Sequence, residues 1–495
     1  MIKALVFAVV LCSWAVSMAG AAEPIDVGSR LELMVDDYLI AEMTGGAELR
    51  LHQPTPREVV MVYDAPWEGS ACGYHTVFRD GDVYRMYYKA WHLHPTQGKL
   101  EIPREPAGAY AESEDGVHWT KPNLGLFEFE GSKANNLVWV GKGGHDFTPF
   151  KDANPDCLPG EQYKAVAYGA GPTGAYGFKS SDGIHWSFLQ EAPILTGAAF
   201  DTQNLAFWDS VRGEYRAYVR DFKDGVRGIR TATSKDFRNW SELVWLAYPG
   251  APTEALYTNQ IKPYYRAPHL FVGFPTRYIE RGWSPSMEAL PELERRRVRA
   301  SCHVRYGTAL TDALFMTSRD GQSFHRWGEA FVRPGPCREG TWKYGDNYLA
   351  WHAVETKSDL DGAPNELSIY GTEGYWTGDS SQLRRYTMRI DGFVSIHAPS
   401  SGGEFTTKPL VFDGKDLVLN FSTSAAGTIR IEIQDAAGNP LEGFALADAP
   451  EVFGDALERV APWKDGRDLA ALAGQAVRLH FVMIDADLYA LQFRE

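Results

Sequence analysis

Short stretches of alternating apolar and polar residues recur along this chain, separated by clusters of turn-forming residues. Val83–Trp91, Tyr163–Tyr168, Tyr215–Arg220 and Ile229–Ser234 are typical. A period of two marks strands with one face packed and the other facing outward. Long stretches with the helical period of 3.6 are nearly absent. The exception is Glu280–Arg305, whose run Glu292-Leu293-Glu294-Arg295-Arg296-Arg297 predicts a short charged, solvated helix inserted between two strands. The strands group into five units. Unit one is Tyr74–Arg79, Val83–Trp91, Gly108–Ser113 and a strand after His118. Unit two is Phe147–Lys151, Tyr163–Tyr168, Ala175–Ser180 and Trp186–Leu189. Unit three is Asn204–Trp208, Tyr215–Arg220, Ile229–Ser234 and Trp240–Leu246. Unit four is Asn259–Tyr264, His269–Arg277, Ala313–Ser318 and His325–Arg333. Unit five has only Tyr348–Thr356, Glu366–Gly371 and Leu383–Ile390.

A heptad of turn grammar sets the phase of these units. It reads Ser113-Glu114-Asp115-Gly116-Val117-His118-Trp119, and again Ser180-Ser181-Asp182-Gly183-Ile184-His185-Trp186. It returns at Ser234–Trp240 and Ser318–Phe324. Asp accepts from nearby backbone N–H groups, Gly takes positive φ at little cost, and the aromatic opens the next strand. A catalytic site does not need four copies, so these Asp residues are read as hairpin clamps. Repetition of one supersecondary unit means stacked or radial architecture. The expected fold is all-β: a five-bladed β-propeller over residues 23–385. Its fifth unit would be completed by Leu31–Ile40 or Glu48–His52, which removes exposed sheet edges. From about residue 386 the pattern changes. Leu417–Ser422, Thr428–Gln434, Ala476–Ile484 and Leu488–Phe493, with the turn Asp435–Asn439, predict a β-sandwich over 386–495.

Composition narrows the function. Aromatic residues make up 13% of the 495, with 48 Gly and 28 Pro, and the formal net charge is −15. That charge argues against nucleic acid or an anionic membrane as the partner. Lys3, the apolar Ala4–Val16 and the small residues Ala19–Ala22 predict a secretory signal peptide over residues 1–22, hence a secreted or periplasmic protein. No later stretch is apolar enough to span a membrane. Cys72, Cys157, Cys302 and Cys337 would remain after cleavage, with three possible disulfide pairings. His75 and His145 lack metal-ligand spacing, so neither a metal nor another cofactor is expected.

Registering the units places Asp80, Asp152 and Asp209 in equivalent turns at one end of the first strands. The other end gathers Glu68, Tyr74, His75, His145, Asp146, Asp201, Gln203, Asn259, Asp346 and Asn347. The ends of the second strands add Lys89, Trp91, Arg220, Arg277 and Glu373. Aromatics stack on sugar faces and charged groups bond hydroxyls or a carboxylate. A carboxylate pair can protonate a glycosidic oxygen and activate water or attack the anomeric carbon. Glu68, Asp146, Asp201 and Glu373 are the catalytic candidates. Tyr74, His75, Lys89, Trp91, His145, Gln203, Arg220, Asn259, Arg277 and Asn347 are the binding candidates.

With the repeats at 113–119 and 180–186, the hairpin Asp80-Gly81-Asp82-Val83-Tyr84 and the tail Leu488–Phe493, the chain resembles the five-bladed propeller glycoside hydrolases of families 32 and 43. The resemblance implies an acid on the innermost strand of each of the first three blades, by position Glu68, Asp146 and Asp201. It also implies a glycosidase cleaving terminal sugars from oligo- or polysaccharides. The Asn-Asp-Pro-Asn, Arg-Asp-Pro and Glu-Cys signatures of family 32 are not in those places, which motivates an alternative, a non-catalytic carbohydrate-binding propeller. A second alternative is a sialidase-like hydrolase of acidic sugars, in which Arg220, Arg277 and Arg305 would meet one carboxylate.

Overall fold

The computed structural model describes residues 23–495; the expected signal peptide lies outside them. Among the described residues the fold is all-β, with three short α-helices confined to one insertion and three single 3-10 turns beyond residue 445. Five four-stranded antiparallel sheets follow one another along the chain. The first is Gly73–Asp80, Val83–Ala90, Ala107–Ser113 and Leu137–Val140. The second is Thr148–Lys151, Tyr163–Gly169, Gly174–Ser180 and Ser187–Phe188. The third is Leu205–Asp209, Glu214–Lys223, Val226–Ser234 and Val244–Trp245. The fourth is Lys262–Tyr264, Ala267–Gly273, Met316–Ser318 and His325–Arg326. The fifth is Val354–Thr356, Glu366–Glu373 and Gln382–Arg389, closed by Thr55–Val62 from the other end of the chain.

The first strands of successive sheets lie side by side. Gly73–Asp80 neighbours both Thr148–Lys151 and Val354–Thr356, and Thr148–Lys151 neighbours Leu205–Asp209. Trp351 sits among them. Its backbone exchanges hydrogen bonds with His75 and Val77, at 2.8 and 2.6 Å. Its indole donates to the Ile261 carbonyl and its ring meets Phe150 and Phe207. Its side chain thus meets the second and third sheets and the start of the fourth, and its backbone meets the first. Gln203 lies in the same interior. It donates to the Tyr74 and His75 carbonyls and accepts from Gln260.

The four turn repeats form the expected clamps. In each, the Asp Oδ1 accepts from two backbone N–H groups at 2.7–2.8 Å, and the Ser hydroxyl meets the Asp carboxylate. They also do more. The carbonyl at the fourth position accepts a tyrosine hydroxyl from another sheet in three copies. Tyr370 reaches Gly116, Tyr87 reaches Gly183, and Tyr218 reaches Gly321, at 2.6–2.9 Å. A Cβ on Gly183 would lie 2.7 Å from the Tyr87 hydroxyl, and its φ is +80°, so only glycine fits this clip. In the third copy Phe237 takes the positive φ, and its ring packs on Phe150 and Tyr215 instead.

Two expectations need correction. The outer strand of the fifth sheet is Thr55–Val62, not Leu31–Ile40 or Glu48–His52. An outer strand is half exposed, and Thr55–Glu58 are exposed. Leu31, Leu33 and Val35 are instead buried against Phe274, Phe315, Phe331 and Phe393. Glu32–Leu33 pairs with Ala490–Leu491, and Glu48–Leu51 pairs with Val394–His397. Residues 25–51 therefore belong to the same ten-stranded sheet as the C-terminal strands. Within that sheet the four short strands expected beyond residue 416 run as two long ones. Asp416–Asp435 and Val477–Arg494 pair throughout, with register shifts near Asn420 and Thr423. They enclose an apolar core including Phe405, Phe412, Phe481 and Phe493.

Helices α1 (Pro285–Glu288), α2 (Leu293–Cys302) and α3 (Val304–Thr308) form the insertion. They lie between Thr276–Glu280 and Ala309–Ala313, which pair with each other and with Ala255–Leu256 as a small extra sheet. The helix is charged as expected but is not simply solvated. Arg296 and Arg299 are buried, donating to the carbonyls of Pro291, Trp342 and Tyr375. The hairpin His94–Thr96 and Lys99–Glu101 packs on α2, and the Gly98 N–H donates to Ser301. Cys72, Cys157, Cys302 and Cys337 are unpaired. No helix among the described residues is long and apolar enough to cross a membrane, and no group of three potential metal ligands occurs among them.

Candidate functional site

At the end where the first strands begin, loops and strand ends bring together a floor of tyrosines. Tyr74, Tyr257, Tyr278, Tyr344, Tyr348 and Trp376 form one apolar cluster, with Trp91, Tyr306 and Tyr375 packed against it. Local backbone explains how they fit. Tyr74 and Asn347 adopt positive φ where their strands turn in from the loops. Gly345, at φ +96°, lets the Tyr375 ring approach so closely that a Cβ would lie 2.0 Å from it. The insertion closes one side through Tyr306, which stacks parallel to Tyr344 and edge-on to Trp376.

Charged groups line this floor. The Lys89 ammonium lies 4.3 Å from the centre of the Tyr74 ring and 4.8 Å from Trp91, with no carboxylate within 4 Å among the described residues. Its burial pushes its pKa down to about 8. Beside it stands Asp201, whose side chain is 68% exposed. Asp201 lies 3.9 Å from His145 Nδ1 and 3.9 Å from the Arg220 guanidinium. Burial holds the His145 pKa well below its ordinary value, reinforced by Lys89 and Arg220, so this imidazole is neutral at pH 7. Beneath lies Asp146, fully buried, accepting from the Tyr168 N–H and Asn204. Burial and the neighbouring Asp201 charge hold the Asp146 carboxyl far above the usual carboxylate range. Asp346 is pushed up to about 7 by burial. One of its oxygens accepts from the Tyr375 N–H, and the other is buried with no partner.

The structure brings together Tyr74, Lys89, Trp91, His145, Asp146, Asp201 and Arg220 from the sequence-based set. It places the rest elsewhere, and each has a physical reason. Glu68 is closed to solvent; its oxygens meet Lys121, the Tyr88 hydroxyl and the Ala65 N–H. Glu373 is clamped by Arg338, Arg384 and Gln382 and faces a different cleft, beside Arg57 and Tyr386. Arg277 spends its guanidinium on Asp312, Glu254 and the Gly328 carbonyl, so the trio Arg220–Arg277–Arg305 does not form. His75 is buried with Nε2 2.5 Å from the Tyr63 hydroxyl, and burial pushes its pKa down to about 3. Gln203, Asn259 and Asn347 are buried and bonded to backbone groups.

Sequence reasoning missed Tyr257, Tyr278, Tyr344 and Tyr375 as site residues, and Arg227 entirely. Alternation marks such tyrosines as strand core. The available signal was their position: Tyr344 and Tyr348 flank Asp346, and Tyr257 immediately precedes a first-strand start. Arg227 was legible in principle. Asp224-Gly225, with φ of 52° and 78°, makes a tight hairpin that pairs Phe222 with Arg227.

No family model and no curated protein matches the chain. Solved structures similar to it include glycoside hydrolases. A fructofuranosidase of Schwanniomyces occidentalis complexed with fructosylnystose is 11% identical, with 88% of this chain and 96% of that chain covered and a TM-score of 0.38. A GH32 beta-fructofuranosidase of Bombyx mori is 9% identical, covering 90% and 94%, at 0.39. An endo-arabinase of Bacteroides thetaiotaomicron is 9% identical, covering 68% and 98%, at 0.39. At this level of similarity the chemistry is argued from the residues alone.

Proposed function

We propose that this chain is an exported carbohydrate-active protein, a glycosidase acting on oligo- or polysaccharide. In this reading the five sheets are the blades of a β-propeller over residues 23–385, and residues 386–495 form a β-sandwich joined by the strands of 25–51. The observation that carries the function is the tyrosine floor around the exposed Asp201. Flat aromatic faces with cations and one solvent-facing carboxylate suit a sugar ring better than an apolar ligand. Asp201, flanked by Arg220 and the neutral His145, would serve as the reacting carboxylate. Asp146 beneath it would stay protonated and act as a positioning residue that keeps a second negative charge away. Asp346, raised to about 7, would hold the proton available at neutral pH.

The test is sugar release from a panel of oligosaccharides. Asp201→Asn is expected to lower turnover by roughly a hundredfold or more while leaving binding within a few-fold. Release by this variant at the wild-type rate would remove Asp201 from the chemistry. One observation favours a second reading, a sugar-binding propeller without turnover. Of Glu68, Asp146, Asp201 and Glu373, Asp201 alone is exposed. Oligosaccharide binding with no release after long incubation decides for that reading.

A further inference from the structure

Tyr257, Tyr278 and Tyr344 form a triangle, with ring centres 5.5–6.0 Å apart and a hydrogen bond between the Tyr344 and Tyr257 hydroxyls. Three guanidinium groups stand over it. Arg220 lies 5.5 Å from Tyr257. Arg227 lies 5.1 Å from Tyr257 and 4.5 Å from Tyr278. Arg305 lies 5.5 Å from Tyr344. The hairpin of the third sheet supplies the first two, with the Phe222 ring between them at 5.2 and 5.4 Å. The insertion supplies the third, at α3.

These arginines are short of acids. Elsewhere some arginines are ion-paired, while the buried Arg296 and Arg299 donate to backbone carbonyls. Arg385 meets Glu58, Asp359 and Glu366, and Arg319 meets Glu32 and Asp36. Over the tyrosine triangle, Arg220 has only Asp201 at 3.9 Å and the Ala199 carbonyl. Arg305 has the Tyr344 hydroxyl at 3.5 Å. Arg227 has no carboxylate within 4 Å among the described residues, and its Nε is buried without a partner. Lys89, across the floor, is likewise without a carboxylate. A chain with a net charge of −15 has acids to spare, so such a group of cations is not a by-product of composition.

We propose that Arg220, Arg227 and Arg305 form a subsite for the acid group of an anionic sugar, a uronate carboxylate or a sulfate ester. The inference rests on the reading of the rim as a carbohydrate site and names its substrate class. Guanidinium groups bond planar oxyanions in a forked geometry. Stacking on tyrosine holds them in place, so little side-chain entropy is lost when the anion arrives. The exposed Asp201, 3.9 Å from Arg220, then faces the body of the ring while the acid group turns towards Arg227 and Arg305.

The test is calorimetric binding of glucuronate, glucose 6-sulfate and glucose to the full chain, at low and high salt. One charged sugar is expected to bind at least about tenfold tighter than glucose, as charge-assisted hydrogen bonds require, and the preference should shrink with salt. Which of the two binds tighter identifies the acid group. The double variant Arg227→Gln/Arg305→Gln should lose the preference. Arg297→Gln, on the exposed face of α2, should keep it, and equal melting temperatures establish that all variants fold. Equal affinity for charged and neutral sugars overturns the subsite, as does a preference that survives the double variant. If neutral oligosaccharides are still bound or cleaved, the carbohydrate reading stands without it; if no sugar binds at all, both fall.

Discussion

The two ends of the first strands use charge in opposite ways. Where the first strands of the first three sheets finish, the equivalent turn acids are closed into pairs. Asp80 meets Lys151, Arg85 and the Tyr163 hydroxyl; Asp152 meets Lys164 and the Tyr215 hydroxyl; Asp209 meets Arg212. Where the same strands begin, cations lie on tyrosine rings, and among the described residues only Arg220 of Lys89, Arg220, Arg227 and Arg305 has a carboxylate within 4 Å, that of Asp201. His145, Asp346, Tyr348, Arg227 and Arg299 each keep a buried polar atom with no partner. Buried polar atoms are normally satisfied, because leaving one unpaired costs about 1–3 kcal/mol. At the other end Arg85 and Arg216 also keep such an atom, so the contrast between the ends lies in the ion pairs.

The comparison breaks most visibly at Asp152. Removing it by Asp152→Ala leaves the buried Lys164 ammonium with Glu161 alone for a carboxylate, at 3.7 Å, and should cost about 1.5–3 kcal/mol. A urea midpoint corresponding to a loss below about 1 kcal/mol would mean that this end is not held by its pairs.

Acidity separates the ends next. Asp80 is lowered, held so by Lys151, Tyr163 and Arg85 against its burial, so its contribution is present at neutral pH and fades as pH falls through its depressed value. Asp346 runs the other way, because its folded value of about 7 exceeds its unfolded one. Its contribution is complete in acid and drains away as pH rises towards 7, at about 1.4 kcal/mol per unit. Asp346→Asn should remove that decline from stability curves measured between pH 4 and 7. An unchanged slope would assign the decline to other groups.

Smaller effects sharpen the contrast. Tyr87→Phe takes one hydroxyl from the clip onto Gly183 and should cost about 1 kcal/mol in thermal melts. Arg305→Gln, at the other end, should change stability by less than about 0.5 kcal/mol. A larger loss there would make Arg305 a structural group.

The sequence carried the sheets well because their signals are local. The alternation of Val83–Ala90 and the Ser-Asp turn grammar act within a few residues. The outer strand of the fifth sheet was misplaced because its partner lies at the far end of the chain. Thr55–Val62 and Glu48–His52 offer similar short patterns, and only the apolar demand of the ten-stranded sheet separates them. At the rim, Asp201, Asp146, Lys89 and Arg220 were legible from strand phase. Glu68 and Glu373 passed the same positional test, but their fates depend on Lys121 and Arg338, which arrive from elsewhere in the chain. Arg277 and Arg227 show the limit most plainly. Asp312, on the neighbouring strand, captures the first, while the second stands on its hairpin facing tyrosines.

The seam of the fifth sheet bears on how the molecule can be made. Arg57 donates to Thr387 across 330 residues of chain. A ribosome delivers Thr55–Val62 long before Gln382–Arg389 exists, and Glu32–Leu33 waits longer still for Ala490–Leu491. The first four sheets can take shape as they emerge, but the fifth closes only once Gln382–Arg389 has been made. Tyr370 can then clip Gly116, and the last sheet can seat Leu31–Val35. A chain cut short near residue 380 would therefore leave both Thr55–Val62 and Glu366–Glu373 without the strand that joins them.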